Sequence, residues 1–192
     1  MNNIEYSIVI PCYNEEDNLE ILLNSIQPLS NNNLQIIIVD NGSTDNSNKI
    51  LKTLSQKISI QNLKIVSISE NIGYGDGIIK GLNQADGTFL GWTHADLQTD
   101  INDIITGFNL IKGSEEKTII KGKRTNRGIF DNIFTTLMSV ICTIILKKSF
   151  SDINAQPKIF RQSFYLQIRK EAPTDFSLDL YLLFMAKKLK YT

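Results

Sequence analysis

Two short stretches of this sequence carry the oxygen-rich side chains that handle charged ligands, and each follows an apolar run. Asp40-Asn41-Gly42-Ser43-Thr44-Asp45 comes directly after Gln35-Ile-Ile-Ile-Val39. Gly42 permits a tight turn, and Ser43, Thr44 or Asp45 can cap a following helix. A strand-to-helix turn accounts for these residues but less well for Asp40. A carboxylate at the end of a buried strand is costly unless something binds it, and here it could accept the imide N–H of a nucleotide base. The second stretch, His94-Ala95-Asp96-Leu97-Gln98, emerges from Thr88-Phe-Leu-Gly-Trp92. A carboxylate and an amide oxygen two residues apart can meet one hard cation. Mg²⁺ and Mn²⁺ prefer such ligands and share their shell with phosphate oxygens. The competing reading is a helix N-cap with Gln98 exposed.

Other chemistry-bearing residues carry weaker signals. His94 is the single histidine, and its default role is a hydrogen-bonded structural one. Cys12 reads as a small packed residue, since no second histidine exists to activate it. Gly73-x-Gly75-x-Gly77 lacks the spacing of a dinucleotide loop and follows the third strand, not the first. These glycines are expected to let backbone approach a ligand or a neighbouring helix. Lys121, Lys123, Arg124 and Arg127 form either a phosphate-holding group or a solvated basic turn.

The elements that must position these residues alternate along the chain. Ser7–Ile10, Gln35–Val39, Leu63–Ile68 and Thr88–Trp92 are short, apolar and rich in β-branched or aromatic residues, which predicts buried strands. Between them, Leu19, Leu22, Leu23 and Ile26 share one helical face, as do Ile50, Leu51 and Leu54, and Ile78, Ile79 and Leu82. This β-α-β-α-β-α-β order predicts an α/β fold, an open and mostly parallel sheet with helices on both faces. Ligands of such sheets sit at the carboxyl ends of the strands, where the polar stretches fall. The second half is less regular. A helix is expected over 102–110, a strand over 118–121, an apolar helix over 129–146, a loop and short strand over 152–160, and a helix over 177–189.

Composition bounds the function. The 192 residues suffice for one well-buried domain and not for two large ones. Twenty basic residues balance twenty acidic ones, so no net field points to nucleic acid. Two distant cysteines, with no CxxC pattern, suggest neither a disulfide framework nor a zinc site, and a reducing compartment is expected. The start lacks the pattern of a signal peptide. No stretch reaches the roughly 20 apolar residues that span a bilayer.

Ser7-Ile-Val-Ile-Pro-Cys-Tyr-Asn-Glu-Glu16, Val39-Asp-Asn-Gly-Ser-Thr-Asp45 and Asp96-Leu-Gln98 together resemble the family-2 glycosyltransferases, nearest to the dolichol- and polyprenyl-phosphate sugar synthases. The resemblance is strongest over 6–100 and continues to about 189. It implies a GT-A fold in one domain, with a Rossmann-like nucleotide-sugar-binding half (1–100) and an acceptor half (101–192). It implies a UDP- or GDP-sugar donor, held by Pro11, Tyr13, Asn14, Glu15, Asp40, Asn41, Gly75, Asp96 and Arg124. Asp96 and Gln98 match the ligands of a divalent cation, Mg²⁺ or Mn²⁺. The acceptor would be a lipid phosphate or a growing glycan, attacked in an inverting displacement. Asp96, Asp152 and Asp179 are the candidate catalytic carboxylates, the last two as bases if the acceptor is a hydroxyl. A cytoplasmic protein, with peripheral contact at the cytoplasmic membrane face as a further option, fits this picture.

Three departures from the family pattern stand out. His94 occupies the place where relatives usually carry the first acid of Asp-x-Asp. Ala155-Gln-Pro-Lys158 replaces a Ser-Gly-Phe-Arg-like element on the acceptor side. Relatives usually continue past the position of Thr192, so a C-terminally shortened acceptor half is an open reading. A non-catalytic sugar-nucleotide-binding module is the alternative from another class.

Overall fold

The computed structural model describes residues 4–123, 143, 145 and 147–192. Its strands are β1 (Tyr6–Cys12), β2 (Leu34–Asn41), β3 (Leu63–Ile68), β4 (Phe89–Trp92), β5 (Ile120–Lys121) and β6 (Lys158–Arg161). Its α-helices are α1 (Leu19–Ile26), α2 (Ser47–Lys57), α3 (Tyr74–Leu82), α4 (Ile101–Lys112), α5 (Gln162–Ile168) and α6 (Leu178–Lys188). The four expected strands and the helices between them are all present. The expected strand over 118–121 shrinks to two residues, and α5 has no counterpart in the sequence reading. The expected helix over 129–146 lies almost wholly outside the described residues.

The strands form one six-stranded sheet in the order β3-β2-β1-β4-β6-β5. The first four run parallel, with Ile8 opposite Ile36 and Gly91, and β6 runs antiparallel to β4, Leu90 opposite Phe160. Side chains alternate along each strand, and this splits the interior into two cores. Ile8, Ile10, Ile36 and Ile38 pack beneath Leu22, Leu23, Ile104 and Phe108 on one face. Val9, Ile37 and Val39 pack with Ile78, Leu82, Trp92, Phe160 and Leu182 on the other. All eight residues of β2 are buried, so its continuous apolar run reflects a strand covered on both faces. Gly81 permits close seating of α3, because a Cβ there would lie 2.4 Å from a methyl carbon of Val9.

The strand order fixes where a ligand can enter. From β1 the chain steps outward to β2 and β3, then returns to place β4 on the other side of β1. The loops after β1 and β4 therefore diverge, and a crevice opens between them at the carboxyl edge.

Candidate active site at the switch point

A cleft of about 360 Å³ occupies this crevice. Pro11, Cys12, Tyr13 and Glu15 line it from the end of β1 and the loop beyond. Asn41 does so from β2; Asn71, Gly73 and Tyr74 from the β3–α3 connection; His94, Ala95 and Asp96 from the loop after β4; and Phe176 from the segment before α6.

The loops after β1 and β2 are laced together. The Asn14 backbone N–H donates to Ser43 Oγ at 3.1 Å, and Thr44 N–H donates to Asn14 Oδ1 at 2.8 Å. Glu15 N–H donates to Ser47 Oγ at 2.9 Å, and Asn46 N–H to Glu16 Oε2 at 2.8 Å. Asn14 sits at φ 55°, a left-handed conformation that asparagine tolerates. Asp40 is buried, and its carboxylate accepts from Ser43 N–H at 3.0 Å and from the Asn48 amide at 2.5 Å. The requirement that a buried carboxylate find partners is thus met by its own turn and by α2. Asp40 lies behind the cleft lining, while Pro11, Tyr13, Glu15 and Asn41 reach it.

Asn41 ties β2 to the next loop. Its amide N–H₂ donates to Gly73 O at 3.0 Å, and its buried Oδ1 has no hydrogen-bond partner among the described residues. Gly73 and Gly75 serve a close approach of backbone, but to the loop at residues 173–175 and not to the ligand or neighbouring helix expected for them. A Cβ on Gly73 would lie 2.3 Å from Thr174 O, and one on Gly75 would lie 2.6 Å from Pro173 O. The Asp76 N–H then donates to Thr174 O at 2.9 Å. Gly75 is therefore placed against the 173–175 segment, outside the lining.

Asp96 lines the cleft half-buried, and its Oδ1 accepts from Gln98 N–H at 3.0 Å. Leu97, between them, has φ 60°, and Gln98 is exposed and outside the lining. No group of three or more His, Cys, Asp or Glu side chains is arranged to hold a metal among the described residues. One carboxylate on this cleft does not make an all-protein cage. It does fit a hard cation that draws most of its shell from phosphate oxygens and water, as Mg²⁺ commonly does. The Cys12 thiol is pushed far up by burial and by the nearby Asp40, Glu15 and Asp45 carboxylates. It is no nucleophile at neutral pH.

Beneath the cleft lies a polar chain that the sequence reading did not assemble. Lys158 is fully buried and pairs with Asp179, itself buried in the first turn of α6. The Gln156 amide donates to Asp179 at 3.2 Å and to the Tyr74 hydroxyl at 3.2 Å. Burial pulls the Lys158 ammonium below its ordinary range, against the opposing pull of Asp179. Burial, then Asp179, pushes the Tyr74 phenol well up. Asp179 is thus engaged in the framework under Tyr74. Asp152, at φ 49°, lies outside the cleft lining, and its backbone carbonyl accepts from Lys121 Nζ at 3.3 Å. Arg124 lies outside the described residues. Tyr74 and Phe176 were absent from the sequence reading; no motif marks either, and Tyr74 hides inside the glycine triplet.

An open, mostly parallel sheet with a cleft at its switch point, apolar over most of its lining with a few convergent polar groups, defines a ligand-binding α/β domain. The chain belongs to glycosyl transferase family 2, whose model matches residues 7–167. It is 32% identical over 165 residues to the undecaprenyl-phosphate 4-deoxy-4-formamido-L-arabinose transferase of Proteus mirabilis, covering 81% of this chain and 48% of that one. It is 23% identical over 212 residues to the dolichyl-phosphate beta-glucosyltransferase of Dictyostelium discoideum, covering 98% of this chain and 64% of that one. The chain spans about half the length of the first of these relatives and under two thirds of the second.

Solved structures share the fold, which is of the GT-A type. A mannosyltransferase from Pyrobaculum calidifontis in complex with GDP-Man and Mn²⁺ matches with a TM-score of 0.73 at 18% identity, covering 97% of this chain and 53% of that one. Glucosyl-3-phosphoglycerate synthase from Mycobacterium tuberculosis, in complex with Mn²⁺, UDP and glucosyl-3-phosphoglycerate, matches with 0.74 at 16% identity, covering 94% and 64%. No helix among the described residues is long and apolar enough to cross a membrane.

Proposed function

We propose that this chain transfers a sugar from a UDP- or GDP-sugar to a polyprenyl phosphate, by a metal-assisted inverting displacement. The observation that carries the reading is the position of Asp96, whose carboxylate lines the switch-point cleft beside the loops after β1 and β2. The names of the polyprenyl- and dolichyl-phosphate relatives and the Mn²⁺ complexes of the structural neighbours support it.

Pro11, Tyr13, Glu15 and Asn41 hold the nucleoside, with Asp40 bracing the turn from behind. Asp96 would hold a divalent cation, with Gln98 swinging in or acting through water; the bound cation supplies neutralisation of the charge that grows on the leaving diphosphate. Tyr74 and Phe176 line the site from the start of α3 and the segment before α6. A phosphate acceptor is already an anion and needs no protein base. That suits a site in which Asp179 is committed to Lys158. Were the acceptor a hydroxyl, Asp152 would have to reach the cleft by a loop movement. The domain would work at the cytoplasmic membrane face, where a lipid phosphate presents its head group.

His94 in place of an acid, and a single carboxylate at the cation position, favour a second reading as a non-catalytic sugar-nucleotide-binding module. A transfer assay separates the two. Labelled donor sugars are incubated with undecaprenyl phosphate and Mn²⁺ or a chelator. Metal-dependent labelled lipid, reduced about 10²–10³-fold in Asp96→Ala, supports the enzyme. Donor binding with no transfer and no donor hydrolysis supports the module, and full activity in Asp96→Ala refutes the role of Asp96.

A further inference from the structure

Phe176 is 77% exposed although it lines the cleft. Its ring stacks on Tyr74 with centroids 5.1 Å apart and planes within 6°. Tyr74 in turn lies 5.9 Å from the His94 ring, two residues before Asp96. This aromatic pair is firmly held. Tyr74 takes its hydrogen bond from Gln156. The backbone just ahead of Phe176 is clamped to the start of α3, where Gly73 and Gly75 admit it and Asp76 N–H bonds Thr174 O. One face of Phe176 is used on Tyr74. The rest of the ring stays in water, a fixed flat apolar surface on the cleft lining that is open to a ligand.

Resting on the donor-cleft reading above, we propose that Phe176, backed by Tyr74, is a stacking platform for the pyranose ring of the donor sugar. Phe176 is the one described lining residue contributed from beyond residue 100. The first-half loops, with Tyr13 44% exposed among them, already face the nucleoside. The stack reaches the cleft next to the loop that carries Asp96, where the diphosphate would lie. In a sugar nucleotide the group beyond the diphosphate is the sugar. A pyranose presents an apolar C–H face and a polar rim, which suits a flat ring with one free side and polar neighbours.

Isothermal titration calorimetry with the whole chain tests this. UDP, GDP, UDP-glucose and GDP-mannose are titrated in Mn²⁺ against wild type, Phe176→Ala and Phe176→Tyr. The side chain is exposed, so the alanine variant keeps its fold, which an unchanged melting temperature verifies. The expected result is a loss of about threefold to tenfold in sugar-nucleotide affinity, unchanged affinity for the bare diphosphate, and recovery in Phe176→Tyr. Equal losses for both ligands would mean that the ring stacks on the base, and no loss for either would mean that it does not touch the donor. Each of these overturns the proposal, as does a wild type that gains nothing from the hexose. No binding of any nucleotide by wild type is a different failure, that of the donor-cleft reading itself.

Discussion

Replacing Asp179 with leucine would strand a charge. Lys158 is fully buried, and without Asp179 its ammonium would keep the Ala155 carbonyl at 3.2 Å and the face of Trp92 at 5.8 Å. Removing one partner of a buried ion pair costs about 3–5 kcal/mol. Set against a total stability of about 5–15 kcal/mol, that is a large fraction. In a domain of this size it lowers the melting temperature by about 6–20 °C. Replacing both partners, Lys158→Met with Asp179→Leu, removes the stranded charge and should return to within about 2 kcal/mol of wild type. Urea unfolding of the four proteins in the double-mutant cycle measures the coupling directly.

The pH dependence of this deficit follows from Lys158. Its folded pKa is pulled down by burial, and losing Asp179 pulls it further. An unfolded lysine keeps its proton to about pH 10.4. Between the two pKa values the unfolded state binds more protons, so stability rises with pH. The deficit of Asp179→Leu should therefore shrink as pH is raised from 7 toward 10. A single variant costing under about 1 kcal/mol, or a double variant no better than the single, would refute the stranded-charge reasoning.

Other substitutions probe separate parts of the account. Gly75→Ala places a Cβ 2.6–2.8 Å from the backbone of residues 173–175; it should cost about 1–3 kcal/mol in urea unfolding and weaken sugar-nucleotide binding by shifting Phe176. Cys12→Ala should retain turnover in the transfer assay, because its thiol is held protonated by burial first and by nearby carboxylates second. Tyr165 is buried with its hydroxyl 3.0 Å from Asn83 Oδ1, and burial pushes its pKa up to about 12. Its folded pKa lies above the unfolded value of about 10, so its stabilisation is complete below pH 10 and lost as pH rises toward 12. Melting curves of Tyr165→Phe should fall less steeply over that window than those of wild type.

The regular part of the fold was readable because short-range pattern and long-range packing agree there. β1 and β2 are covered on both faces, so their apolar runs announce themselves, and α1 repeats its apolar face over two turns. The seven residues of α5 are too few for a period to show, and Phe164, Tyr165 and Ile168 declare a face only once β6 and α6 are in place. The site divides in the same way. Asp96 and the loop after β1 sit at strand ends, where the alternation of elements already pointed. Asp179 is a candidate base by resemblance alone; its partner Lys158 is 21 residues away on a strand, and no local pattern links them. Phe176 carries no signal at all, since an aromatic residue before a helix is usual in a core and here faces the cleft.

The most direct test of the central claim is nucleotide-dependent stabilisation. The chain is melted with UDP- and GDP-sugars in Mn²⁺, in Mg²⁺ or with a chelator, beside Asp96→Ala. Ligand binding to the folded state raises the melting temperature as the logarithm of ligand over dissociation constant. The account predicts an upward shift with one nucleotide class that needs the metal and vanishes in Asp96→Ala. A folded wild type that shows no shift with any donor, or a shift indifferent to both the metal and Asp96, would contradict it.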